Sequence, residues 1–62
     1  MIPKVMTNAQ LEAAYDVISE GIDAAGAEKQ TLFLAKLAFA LANLVGDSGQ
    51  VAEAVEASLR DL

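Results

Sequence analysis

TLFLAKLAFALANLVGD, residues 31–47, is the stretch whose reading decides the fold. Leu32, Phe33, Leu34, Leu37, Phe39, Leu41, Leu44 and Val45 fill it, with alanines between them. No strand-like alternation interrupts the run. Lys29, Lys36 and Asn43 are seven residues apart and form one narrow polar stripe. The spacing predicts a helix over 27–45, apolar almost all the way round and stopped by Gly46. A helix of that kind is ordinarily buried. Ala35, Ala38 and Ala42 are small enough for another backbone to approach. A chain of 62 residues has little other protein with which to cover it.

Working outward, Thr7 and Gln10 have capping-box spacing and predict a helix over 8–25. Pro3 disfavours a helical start before it. Leu11, Tyr15, Ile18, Ile22 and Ala25 recur at steps of four and three and share one face. Glu12, Asp16, Glu20 and Asp23 occupy the neighbouring polar face, and Gly26 suits a left-handed helix stop. Gly21, in mid-helix, costs about 1 kcal/mol relative to Ala; it either permits close helix contact or is simply tolerated. A third helix is predicted over 49–60, capped by Asp47 or Ser48, with Asp47 and Gln50 again at capping-box spacing. Val51, Ala54, Val55, Ser58, Leu59 and Leu62 line one of its faces.

Composition narrows the function classes. A domain of this size buries only about 60% of the surface of its unfolded chain and is marginal alone. Small chains are commonly stapled by disulfides, a metal or oligomerisation. There is no Cys and no His, which removes disulfides, thiolate metal sites and the commonest general base. Oligomerisation is the staple left. The apolar share is 55% without Gly, above the usual range of about 45–50% that includes Gly. The net charge of −5 disfavours nucleic acid and anionic membranes as partners. Residues 1–6 do not have the length or charge of a signal peptide, and Lys36 and Asn43 interrupt the apolar run. A soluble, cytoplasmic protein is expected.

Several short patterns resemble sites. Gly46-Asp47-Ser48-Gly49 is similar to the nucleophile loop of trypsin-like proteases, whose chemistry needs a His that this chain lacks. Asp47-Ser48 opening a helix is similar to the phosphopantetheine site of acyl carrier proteins, but Gly49 follows where that pattern has Leu. A helix stop and a cap account for these residues without chemistry. Glu12, Asp16, Glu20 and Asp23 supply oxygen ligands for a hard cation in principle. A solvated acidic face is the expected reading; a third is a face that meets a basic partner, or Lys29 and Lys36 of a second subunit. Tyr15, Phe33 and Phe39 are expected in the core. Asn43 is expected on the solvent side, with an interfacial register role as the alternative.

Leu34-Ala35-Lys36-Leu37 followed by LANLVGD, residues 41–47, resembles a family of short bacterial helical proteins with no assigned activity. Tyr15, Lys36, the LANLVGD run, Val51 and Ala54 carry the likeness over about residues 11–57; Lys36 and Leu44 stand where that family favours Arg and His. The resemblance implies a stand-alone small helical protein and adds no catalytic residue.

The expected fold is all-α, one three-helix domain over 1–62, with the second helix between the other two. The expected function is non-enzymatic, with no catalytic, cofactor or metal site. The chain is read as a self-associating interaction or accessory protein, with a homodimer favoured. The alternative is an acidic adaptor or inhibitor of a larger protein. Phe33, Leu34, Leu37, Phe39, Leu41 and Leu44 are the expected interface.

Overall fold

Helices α1 (Asn8–Ala25), α2 (Gln30–Val45) and α3 (Ser48–Arg60) follow one another in a computed structural model that describes residues 5–60 and 62. No strand occurs among the described residues. The readings that rest on residues 1–4 and 61, including Pro3 and the start of the chain, lie outside them.

Local chemistry sets each boundary. At α1 the Thr7 hydroxyl accepts from the Gln10 N–H at 3.1 Å, and Gln10 Oε1 accepts from the Thr7 N–H at 3.0 Å. Two of the donors that a helix start leaves unpaired are thereby satisfied. Gly26 ends α1 at φ 82° and ψ 159°. That is not the left-handed helical conformation its position suggested, but an extended one that only Gly adopts freely. The chain then turns through Ala27, Glu28 and Lys29, closed by the Lys29 N–H donating to the Gly26 carbonyl at 3.1 Å. This turn is why α2 begins at Gln30 and not at 27. No Ser, Thr, Asp or Asn stands at 27–29 to cap an earlier start. Gly46 stops α2 in the left-handed conformation, φ 71° and ψ 17°, its N–H donating to the Ala42 carbonyl at 3.0 Å. At α3 it is the Asp47 carboxylate that accepts from the Gly49 N–H, at 2.8 Å.

Helix α1 packs on α2, and α2 packs on α3; among the described residues the backbones of α1 and α3 stay more than 8 Å apart, Cα to Cα. In the first contact the Phe33 ring lies over Gly21. A Cβ on Gly21 would stand 2.5 Å from Phe33 Cζ, so the missing side chain is what lets the ring approach. Ile18, Ile22, Phe33 and Leu37 are half-buried. On α3 the half-buried positions are Val51, Ala54 and Ala57, at steps of three along one face.

The result is open. The radius of gyration is 12.6 Å, against about 10.6 Å for a close-packed domain of this length. No described residue is buried. The burial expected of the apolar second helix is therefore not met within the single chain. Of the three aromatics expected in a core, only Phe33 is half-buried, while Tyr15 is 71% and Phe39 78% exposed. The backbones of α1 and α3 stay apart and leave much of α2 uncovered between them. No helix among the described residues is long and apolar enough to cross a membrane.

Candidate interaction surface

Two apolar grooves flank α2 and meet at Leu41, which lines both. The first, of about 610 Å³, lies between α2 and α3. Its α2 wall is Ala38, Leu41, Ala42 and Val45; its α3 wall includes Val51, Val55 and Leu59. Each set falls at steps of three and four, as residues on one helical face must. The second groove, of about 690 Å³, lies between α1 and α2, with Val17 and Ile18 on one side and Leu37 and Leu41 on the other. Val5 and Met6, just before α1, also line it.

Polar groups on these walls are few. Ser58 is one, and its hydroxyl donates to the Ala54 carbonyl at 2.8 Å. That bond within α3 lets the Ser58 side chain leave water without an unpaired donor. Glu53 is the one charged residue on either wall, beside Gln10 and Gln50. The Lys29–Lys36–Asn43 stripe is exposed and lies about 140° round α2 from Leu41 at 3.6 residues per turn.

The six residues expected at an interface do not share one environment. Phe33 and Leu37 are half-buried, Phe33 over Gly21 and Leu37 in the α1–α2 groove. Leu34 and Leu41 are partly exposed, Leu41 at 45%. Phe39 and Leu44 are open to solvent, at 78% and 80%. The grooves also bring in Val51, Val55 and Leu59 of α3 and Val17 of α1, none of which is among the six residues expected at the interface. The apolar face of α3 was visible as a pattern; that it faces an empty groove was not.

The other patterns find ordinary places. Glu12, Asp16, Glu20 and Asp23 are all exposed on α1. Among the described residues no group of three acidic side chains is arranged to hold a metal ion. Asp47 serves as the α3 cap, and Ser48 is exposed beside it. Asn43 is exposed with the two lysines of its stripe. Arg60 and Glu56 approach to 3.9 Å, both well exposed, a pair worth about 0–1 kcal/mol.

No protein-family model matches this sequence, and no curated protein or solved structure shows significant similarity to it.

Proposed function

We propose that this chain is a small, non-enzymatic interaction protein that acts by pairing with a second copy of itself, as a homodimer. The absence of any buried residue among those described carries the reading. A folded helical chain with no interior of its own needs another surface to exclude water.

The area agrees. The chain exposes 5441 Å², whereas a close-packed monomer of its 6.5 kDa mass exposes about 3,800 Å². The excess is about 1,600 Å². One partner's share of a standard protein interface is about 800 Å².

The absence of His and Cys supports a non-enzymatic role. The likeness of the LANLVGD run to short bacterial helical proteins, and a cytoplasmic setting, belong to the same proposal. The exposed carboxylates of α1 favour a second reading, an acidic adaptor that covers a basic surface on a larger protein. Sedimentation equilibrium at micromolar concentration separates the two. Self-association gives twice the chain mass of 6.5 kDa or more; an adaptor stays monomeric until its basic partner is added.

A further inference from the structure

We infer that the two grooves meeting at Leu41 form one continuous homodimer interface, so that the second copy lies with its own grooved face against this one. The inference rests on the dimer reading and adds which face pairs. A two-fold interface uses the same patch on both partners, so the patch must be complementary to itself. In polarity the grooved face suits such pairing. Its α2 wall, Ala38, Leu41, Ala42 and Val45, is wholly apolar, with small residues on either side of Leu41. Ser58 already has its hydrogen bond within the helix.

Charge chooses the same face and the same occupant. Each copy carries −5, so two copies repel unless the carboxylates stay apart. None of Glu12, Asp16, Glu20 and Asp23 lines either groove. Pairing through the grooves leaves these eight carboxylates outside the interface, where water screens them; Glu53, exposed on the α2–α3 groove wall, is the one carboxylate that each copy brings to it. A partner chosen for opposite charge would dock on the acidic face of α1 instead. The Lys29–Lys36–Asn43 side of α2 is the competing surface. Pairing there would set two lysines of each copy near those of the other and would leave the grooves open.

The chain has no cysteine, so one substitution introduces one thiol. Ala38→Cys and Ala42→Cys put it on the grooved face; Ala40→Cys and Asn43→Cys put it on the far side of α2. Each protein is treated at micromolar concentration with a short-arm bismaleimide, and its mass without cross-linker is measured by sedimentation. The grooved-face variants are expected to give covalent dimer at least about tenfold faster than the far-side variants, because a thiol near the two-fold axis meets its copy at a high effective concentration. Dimeric variants that cross-link equally, or faster from the far side, overturn the assignment of the face and leave the dimer standing. Variants that are all helical and monomeric overturn the dimer as well. Circular dichroism identifies any substitution that unfolds the chain, and Ala38→Ser or Ala42→Ser then distinguishes steric damage from the loss of an interface.

Discussion

The α1–α2 hairpin and the α2–α3 hairpin use similar apolar residues and reach different degrees of closure. In the first, an aromatic ring meets a glycine: Phe33 lies over Gly21, with Ile18, Ile22 and Leu37 half-buried around it. In the second, α3 offers only small or short side chains, Val51, Ala54 and Ala57, at its half-buried positions. Val55 and Leu59 remain more than half exposed beside Leu41. The contrast teaches that apolar content does not by itself make a core. A bulky group must find a matching vacancy, as Phe33 does, or the surface stays available to another molecule.

Substitutions can test both halves of that contrast. The largest effect is expected from Leu37→Asp and Leu41→Asp. A carboxylate drawn out of water without a partner costs several kcal/mol, much of the roughly 5–15 kcal/mol that stabilises a domain. Size-exclusion chromatography and circular dichroism should show loss of the assembly, of helicity, or of both. Wild-type size and helicity in both variants would remove α2 from the centre of the account.

Gly21→Ala comes next and probes the Phe33–Gly21 contact of the first hairpin. Ala favours helix by about 1 kcal/mol, but its Cβ collides with the Phe33 ring, and overpacking costs about 1–3 kcal/mol. Urea denaturation should show net destabilisation of about 1 kcal/mol. Trimming the ring with Phe33→Leu should make the Ala tolerable, a coupling that a double-mutant cycle reads directly. A stabilised Gly21→Ala protein would mean that the ring swings aside at no cost.

The caps give smaller effects. Thr7→Ala and Asp47→Ala should each cost about 1 kcal/mol, since each removes an acceptor for a backbone N–H at a helix start. Ser48→Ala should change stability by less than about 0.5 kcal/mol, because Asp47 holds the α3 cap. Thermal melts rank the three. Equal losses from Asp47→Ala and Ser48→Ala would contradict the cap assignment. The smallest effect, none at all, is expected from EDTA: a lowered melting temperature would reveal a cation on the acidic face of α1.

Much of this fold was legible in the sequence because it is written locally. The Thr7–Gln10 box, the two positive-φ glycines at positions 26 and 46, and the apolar steps of three and four fix three helices. The late start of α2 was less legible, because it depends on the conformation of Gly26 and the turn it forces through residues 27–29. For Gly21, close helix contact was one of two readings and is the one found, but its partner was not legible, since nothing near it in sequence announces a ring from residue 33. The same is true of the grooves. A sequence shows that α3 has an apolar face; it does not show that α1 and α3 stay apart and leave Leu41 between two open walls.

Obligate pairing makes a claim about stability as well as mass. If the second copy supplies the interior this chain lacks, unfolding is coupled to dissociation and the melting temperature depends on protein concentration. Thermal melts followed by circular dichroism over about a hundredfold range of concentration measure this directly. A melting temperature that climbs steadily with concentration is the predicted result. One that stays fixed, with full helicity retained at the lowest concentration, would show that the chain is stable alone and would contradict the account.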